Sequence, residues 1–533
     1  MDIKVFYGVP IYTMDSKNSV VEAVVTLNGK IAFVGSLDEA SAKYSYSEMI
    51  KLDGGILMPG FVEPHINLLQ YSKIFRDLDF SSVREKEELV EIISAYIRSK
   101  NSKENMWIIG GGLNPKLIET VKRRDLDKAA PFNPVLFYSR DFHTALANTK
   151  ALEISGIDDN YKNPMGGIIE RDGRGEITGV LKDRAIDIVT KFIDTVDLKR
   201  SIGSLKSGIY KLLDAGITTF CDFSSDSSAS AGGKANYIRQ IMRISKDGEL
   251  KSRIIFMLDD RDAEFLARVG IISQFGSENI ITGGVKFVLD GTLPSMTAYM
   301  KKPYKQTRSN GVLLYSEDEL YKLIREFNKN YLWTSIQSVG DAANEIALKI
   351  YDRLGRDRGI PALLKRVDYA ESLTNEVIEG FAKNGIITVV TPSHIPYIRK
   401  KAIDLLFADA GLLFRIKSLI DAGVKVAFTS DAPVVYPDPI HAIYCAVERK
   451  DYHEGPELRF YPKEHIDVVE AIKAVTIDAA HACGMQDKIG SIEVGKRGDM
   501  IQLSKDIFKC NTVEFKDIEV LRTFIDGEDA TER

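Results

Sequence analysis

Eight short apolar segments, each followed by a stretch of helical character, are the feature that most constrains the fold of this chain. Buried strands that alternate with helices are typical of parallel βα units, because each helix covers the sheet that its strand joins. Eight such units in succession predict an α/β fold, a closed (β/α)₈ barrel. The eight segments lie at residues 56–67, 217–223, 253–258, 285–291, 332–338, 366–371, 386–391 and 425–431.

The two ends of the chain are similar to each other and differ from the middle. Residues 1–55 contain short strand-like runs with a turn at Asn28-Gly29, and residues 490–533 are again rich in such runs. We therefore expect one small β domain built from both termini around a barrel of residues 56–489; two unrelated capping hairpins are the alternative. About 150 residues separate the first two barrel segments, which predicts an inserted subdomain at about 70–200.

Composition excludes several classes of partner and location. The 533 residues include 71 Lys and Arg and 76 Asp and Glu, so the net charge of −5 favours neither nucleic acid nor an anionic membrane. The four cysteines form no CxxC pair, which argues against a disulfide framework or a thiolate zinc cluster. Without a signal-like leader or a run of about 18 apolar residues, a cytoplasmic protein with a small-molecule substrate is expected. Self-association into a homo-oligomer is left open.

Polar residues at the ends of the apolar segments predict the position of a site. Active sites of barrels lie at the carboxyl ends of the strands, and alternate residues of a strand share a face. A carboxylate such as Asp431 at the end of an apolar strand is costly unless it is paired or bound to metal. The polar residues at these ends are His65, Asn67, Asp222, Lys286, Asp290, Gln337, Tyr369, His394 and Asp431.

Several of these residues lie in motifs that resemble a known family. The segment MPGFVEPHIN (58–67) resembles the P-G-F-x-D-x-H-x-H opening of the amidohydrolase superfamily. The resemblance implies a (β/α)₈ barrel, a β-sandwich from both termini, and metal-dependent hydrolysis of C–N bonds other than peptide bonds. Further segments are similar to amidohydrolase family 3, typified by N-substituted formamide deformylases: PVLFYSRDFHTALANTKAL, GGIIERDGRGEITGVL, GVKFVLDGTLPSMTA, SIQSVGDAANE, RVDYAES, TPSH, FTSDAP and VTIDAAHACGMQDKIGSIEVGKRGDMIQL.

The metal-binding positions implied by this resemblance are only partly kept. The family pattern places two histidines on strand 1, a lysine on strand 4 that can be carboxylated, histidines on strands 5 and 6, and an aspartate on strand 8. The positions that match it are His65, Lys286 and Asp431. The positions where another residue replaces the histidine are Asn67, Gln337 and Tyr369, and Glu63 replaces an aspartate.

These replacements predict an altered metal centre. Carboxamide and neutral phenol are poor zinc ligands compared with imidazole, so a binuclear centre is not expected. One divalent metal, with zinc as the first candidate, could be held by His65, a carboxylated Lys286 and Asp431. The alternative is no metal, with an unmodified Lys286 paired to Asp431 or to Asp290.

The resemblance also implies roles for these residues. Water activated by a single metal, or by Asp431 alone as general base, would attack the carbonyl, and the metal or Lys286 would stabilise the oxyanion. The expected reaction is hydrolysis of an amide-like C–N bond of a small molecule; the alternative is a catalytically silent binding or regulatory protein. Cys221 is expected to be a core residue. The candidate substrate-binding residues are His143, Gln337, Tyr369, Asn67 and His394.

Overall fold

The described residues form three β-sheets, which we name the terminal sheet, the insert sheet and the barrel sheet. They are seen in a computed structural model. Among the described helices, none is both long and apolar enough to cross a membrane. The residues that the structure describes are 2–75, 77–80, 83–100, 104–113, 115–139, 144–164, 167–193, 198–224, 233–406, 410–452 and 454–531.

The barrel sheet confirms the predicted (β/α)₈ architecture. Its eight strands are all parallel and lie side by side in chain order. Their side chains alternate: Phe287, Ile336 and Val367 pack outward with the covering helices, and the residues between them point inward. Barrel strands 1 to 8 are Phe61–Ile66, Ile217–Asp222, Arg253–Leu258, Ile280–Val288, Thr334–Ser338, Lys365–Tyr369, Ile387–Val390 and Val426–Phe428.

Strands 1 and 8 lie at the two ends of this sheet order and are joined through side chains. The carboxylate of Glu63 accepts hydrogen bonds from the backbone N–H of Ser430 at 2.9 Å and from its hydroxyl at 2.7 Å. The hydroxyl of Thr429 also donates to Glu63, and it lies 2.7 Å from the carbonyl oxygen of His65. Glu63, which is 5% exposed, therefore closes the barrel rather than facing a substrate.

The terminal sheet contains strands from both ends of the chain, as the fold prediction required. Ile56–Pro59 pairs in parallel with the first strand and antiparallel with Met500–Leu503, which joins the two termini. The domain bounds at residues 55 and 490 stay a prediction. The strands of this sheet are Ile3–Tyr12, Val20–Leu27, Lys30–Gly35, Glu48–Lys51, Ile56–Pro59, Met500–Leu503, Val520–Ile525 and Glu528–Asp529.

The predicted strand at 56–67 is in fact two strands that belong to different sheets. They are divided at Gly60, where a Cβ atom would lie 2.4 Å from Cγ2 of Thr218 on the neighbouring barrel strand. Only glycine allows this close approach, and the chain uses it to pass from the terminal sheet into the barrel.

The insert sheet lies between barrel strands 1 and 2 in the chain. Helix Leu198–Asp214 then returns the chain to the barrel. The strands of the insert sheet are Leu78–Asp79, Ile108–Leu113, Val135–Ser139, Thr144–Ala147, Gly167–Arg171 and Ile177–Asp183.

The α-helices alternate with the barrel strands as a (β/α)₈ fold requires. The last of them packs with the inner residues Val62, Cys221 and Ile255 and so covers one end of the barrel. The α-helices are Leu37–Lys43, Leu68–Ile74, Lys86–Lys100, Pro115–Thr120, Arg123–Ala129, Thr149–Ile154, Arg184–Thr190, Leu198–Asp214, Gly233–Lys246, Asp260–Arg268, Glu317–Lys329, Asp341–Arg356, Asn375–Lys383, Ile395–Leu405, Ile416–Asp421, Pro439–Glu448, Val468–Val475 and Ile477–Ala482. The 3₁₀ turns are Pro392–His394, Ala410–Leu412, Pro456–Leu458, Pro462–Glu464 and Thr512–Asp517.

Candidate active site

Three of the predicted site residues meet at the carboxyl ends of the barrel strands. His65 lies on strand 1, Tyr369 ends strand 6, and Asp431 follows strand 8. Nε2 of His65 is 3.7 Å from Oδ1 of Asp431, and the rings of His65 and Tyr369 are 5.4 Å apart. The barrel thus brings together residues that are up to 366 positions apart in the chain.

The imidazole of His65 is held by contacts on two sides. Its Nδ1 lies 2.8 Å from Oδ2 of Asp368, and the ring of Phe223 stacks on it at 3.6 Å between centroids. Because a carboxylate can only accept, we assign a hydrogen to Nδ1. With the ring held in this orientation, its other nitrogen, Nε2, faces Asp431.

A buried ion pair that sequence reasoning missed lies below His65, inside the barrel. Arg366 donates to both carboxylate oxygens of Asp368, at 2.6 and 3.1 Å, and to the carbonyl oxygens of Pro64 at 2.6 Å and Ala482 at 3.0 Å. Burial would raise the pKa of Asp368, but Arg366 and His65 outweigh it and hold that pKa below its usual range. The available signal was the R-x-D pattern within a predicted barrel strand, because two charged residues with this spacing lie on the same face of a strand.

Asp431 and Tyr369 modify each other's protonation. Burial raises the pKa of Asp431, against the opposing effects of His65, Tyr369 and His394. Burial and the adjacent Asp431 carboxylate raise the pKa of Tyr369 well above its usual value, so its hydroxyl remains a hydrogen-bond donor at neutral pH.

The backbone at these two strand ends is strained. The φ angles are 71° at Tyr369, 42° at Ala370 and 55° at Asp431, all in the left-handed region that non-glycine residues rarely adopt. Each such residue costs about 1–3 kcal/mol, and such strain is concentrated at functional sites.

Lys286 has a different partner from the one predicted. Its Nζ lies 3.3 Å from Oδ1 of Asp259, which follows strand 3, and donates to the carbonyl oxygen of Phe223 at 2.8 Å. Asp290 instead accepts three backbone N–H groups, from Tyr299, Val339 and Gly340, at 2.8–2.9 Å. The predicted pairing of Lys286 with Asp431 or Asp290 is therefore wrong.

Asn67 has a structural role that the prediction did not include. Its side-chain oxygen caps helix Leu68–Ile74 by accepting the backbone N–H of Gln70 at 3.1 Å, and it accepts the hydroxyl of Ser224 at 3.0 Å. Asp222 is also engaged, since it accepts the backbone N–H of Leu68 and the hydroxyl of Tyr237. Substrate binding by Asn67 stays a prediction.

The remaining predicted residues lie at different distances from this cluster. Gln337 is half-buried on strand 5, in register with Asp368, so both point inward. Nδ1 of His394 is 3.5 Å from Oε1 of Glu371, beyond the end of strand 6. His143 lies outside the described residues. Cys221 is a buried core residue, with its sulfur 3.2 Å from that of Cys483.

The donor set does not fit a tightly held catalytic metal. A catalytic zinc has three protein ligands, whereas of the side chains that the structure describes only Nε2 of His65 and Oδ1 of Asp431 converge here. Tyr369 offers a protonated phenol, and Lys286 is engaged by Asp259. Within the described part of the chain, no group of three or more His, Cys, Asp or Glu side chains could hold a metal ion.

The sequence of this chain is similar to those of several known proteins. A model of the amidohydrolase family matches residues 48–529. The chain is 29% identical to the putative amidohydrolase YtcJ of Bacillus subtilis over 531 residues, which is 98% of each chain. It is 27% identical to the N-substituted formamide deformylase of Arthrobacter pascens, over 97% of this chain and 96% of that one. It is 28% identical to the protein LONG AFTER FAR-RED 3 of Arabidopsis thaliana, over 97% and 90%.

Solved structures share the fold. An uncharacterized metal-dependent hydrolase from Pyrococcus horikoshii superposes with a TM-score of 0.72 at 22% identity, covering 96% of this chain and 99% of that one. A protein of the same description from Pyrococcus furiosus gives a TM-score of 0.71 at 23% identity, covering 95% and 100%.

Proposed function

The chain belongs to the amidohydrolase family, and we propose that it hydrolyses an amide-type C–N bond of a small molecule at the cluster of His65, Tyr369 and Asp431. The observation that carries this proposal is the environment of the Asp431 carboxylate. This carboxylate lies at the open end of the barrel with a raised pKa, between an oriented imidazole and a phenol that donates.

Asp431 is the general base in this proposal. A base works best when its pKa is close to the working pH, and burial moves the pKa of Asp431 in that direction. Its carboxylate would take a proton from a water molecule as the water oxygen bonds to the substrate carbonyl carbon. General-base catalysis of this kind contributes about 10²–10⁴-fold to the rate.

Tyr369 and Lys286 are suited to stabilise the oxyanion that then forms. The Tyr369 hydroxyl keeps its hydrogen because its pKa is well above the usual value. The Lys286 ammonium is a second donor, only 17% exposed. Both would act in a site with little water, where donors aimed at developing charge are most effective.

No step of this reaction is assigned to a metal, because the described donors supply only two ligands. The family includes metal-dependent hydrolases, and the comparison structures carry that description. In this chain, the Asp368 carboxylate orients the imidazole of His65 through the contact with Nδ1, and this does not depend on a bound ion.

The substrate class is proposed from one relative. The similarity to an N-substituted formamide deformylase suggests N-substituted formamides and other small amides as first probes. Purified protein would be incubated with N-formyl and N-acetyl amines, and release of the free amine would be measured. Asp431→Asn should reduce turnover by about 10²–10⁴-fold.

The matched control is Asp53→Asn, which neutralises a carboxylate that is 83% exposed, far from the site, and should leave turnover unchanged. Equal activity of wild type and Asp431→Asn would contradict the role of Asp431. Absence of amine release by the wild type across the panel would contradict the proposed function.

A small-molecule binding protein without turnover is the second candidate. It is favoured by the replacement of three expected histidines by Asn67, Gln337 and Tyr369, of which Asn67 has become a helix cap. Calorimetric binding of an amide that remains intact after prolonged incubation, with and without added zinc, would select this candidate.

A further inference from the structure

His394 and Glu371 form a pair beside the proposed site whose position is set by the order of the barrel strands. Strand 7 lies between strands 6 and 8 in the sheet. The turn Pro392–His394 follows strand 7, so His394 lies between the end of strand 6, which continues to Glu371, and Asp431 beyond strand 8.

The imidazole of His394 is held on one side only. Its Nδ1 is 3.5 Å from Oε1 of Glu371, and both side chains are nearly buried, with exposures of 11% and 6%. Its Nε2 is buried and has no hydrogen-bond partner among the described residues. A buried ring nitrogen without a partner is unusual, because polar atoms removed from water are nearly always hydrogen-bonded.

The chain reaches Glu371 through a sharp turn. Tyr369 and Ala370 are both in the left-handed region, with φ angles of 71° and 42°. This turn places a carboxylate behind His394 and the Tyr369 hydroxyl next to Asp431. A strained segment that positions two functional side chains is consistent with a role in the reaction.

We propose that His394, oriented by Glu371, is the proton donor to the leaving nitrogen. This inference rests on the proposed function. The donor form of His394 carries hydrogen on both ring nitrogens: Nδ1–H faces Glu371, and Nε2–H is left for the substrate.

The step balances without a further reactant. Asp431 removes one proton from water while the water oxygen bonds to the carbonyl carbon. The C–N bond then breaks, its electron pair goes to nitrogen, and that nitrogen receives the Nε2 proton of His394. The proton held by Asp431 returns to His394, so the net reaction is amide plus water giving acid plus amine. Glu371 is a positioning residue in this scheme.

The test compares two leaving groups. N-formylbenzylamine releases a basic amine that must be protonated as the bond breaks, whereas N-formyl-4-nitroaniline releases a weakly basic amine that needs little proton transfer. His394→Gln should lower kcat/KM for the first probe by at least about 100-fold and for the second by less than about 10-fold. Glu371→Gln should show a smaller loss with the same difference between probes.

Two controls keep the result interpretable. His465→Gln changes an exposed histidine outside the site and should affect neither probe. Near-ultraviolet circular dichroism establishes that each variant is folded, and His394→Asn provides a second variant if His394→Gln is not.

Each outcome decides the proposal. A larger loss for the benzylamine probe supports a proton donor. An equal loss for both probes overturns the inference but leaves the proposed function intact, since a structural role does not depend on the leaving group. Failure of the wild type to release amine from either probe contradicts the proposed function, and the inference is overturned with it.

Discussion

Replacing Asp368 with asparagine should destabilise the barrel severely. The guanidinium of Arg366 is completely buried and bonded to both Asp368 oxygens, at 2.6 and 3.1 Å. Asp368→Asn removes the only negative charge in that contact and places an NH₂ group where an acceptor was. Loss of one partner from a buried pair costs about 3–5 kcal/mol, a large share of the 5–15 kcal/mol that stabilises most domains.

A double variant distinguishes the effect of an unpaired buried charge from the effect of altered packing. Arg366→Met/Asp368→Leu removes both charges, so no uncompensated ion remains inside the barrel, although the carbonyl oxygens of Pro64 and Ala482 lose a donor. Replacing a buried ion pair by apolar residues is often nearly neutral. The double variant should therefore be more stable than Asp368→Asn.

Urea unfolding at neutral pH measures both effects. Fluorescence of Trp333, which is buried in the barrel, reports on this unit when Trp107 in the insert is replaced by Phe. The pKa of Asp368 is lowered in the folded state, so its stabilising effect is fully present above about pH 4 and is lost as the pH falls through the lowered folded pKa. The reasoning is refuted if the free energy of unfolding of Asp368→Asn is within about 1 kcal/mol of the wild-type value at an equal m-value. It is also refuted if the double variant is less stable than Asp368→Asn.

Three further predictions use the same unfolding assay or elemental analysis. In helix Leu198–Asp214, Gly203→Ala should raise the free energy of unfolding by about 0.5–1 kcal/mol, because nothing lies within 4 Å of the added Cβ. Gly208→Ala should lower it, because the added Cβ would be 2.2 Å from Oγ of Ser72. The opposite order of stabilities would contradict the packing. Burial raises the pKa of Asp290 to about 7, so the folded state binds a proton that the unfolded state releases above about pH 4, and stability should fall as the pH rises from about 4 to about 7. Asp290→Asn should flatten that dependence, and an unchanged slope would contradict it. After incubation with excess zinc and desalting, elemental analysis should find fewer than two ions per chain; two retained ions would contradict the donor set.

The barrel could be predicted from sequence because most of its strands are short runs rich in apolar and β-branched residues, and that signal is local. The division at Gly60 could not be, since it depends on Thr218, which lies on the neighbouring strand 158 residues later. The cap at Asn67 had a usable signal, because Asn followed three residues later by Gln is typical of a helix start.

For the candidate site, the sequence indicates which side chains lie on the inward face of the barrel better than it indicates which of them form ion pairs. Period-two alternation placed Lys286 on the inward face, but its partner depends on how far neighbouring strands are offset. Strands 3 and 4 change register between Phe256 and Leu258, just before Asp259. Such irregularities leave no mark in the apolar pattern, and they decide which strand ends come within ion-pair distance.

The charged and basic side chains at this end of the barrel are paired with one another. Charges removed from water must be compensated. Among the described residues, four cationic or basic side chains of the site have a carboxylate beside them: Arg366 has Asp368, Lys286 has Asp259, His394 has Glu371, and His65 has both Asp368 and Asp431. A dication placed between His65 and Asp431 would add two positive charges to a site whose other carboxylates are already engaged. Tyr369→His would add one ligand without freeing Lys286 from Asp259, so we expect that no single substitution completes a metal site here.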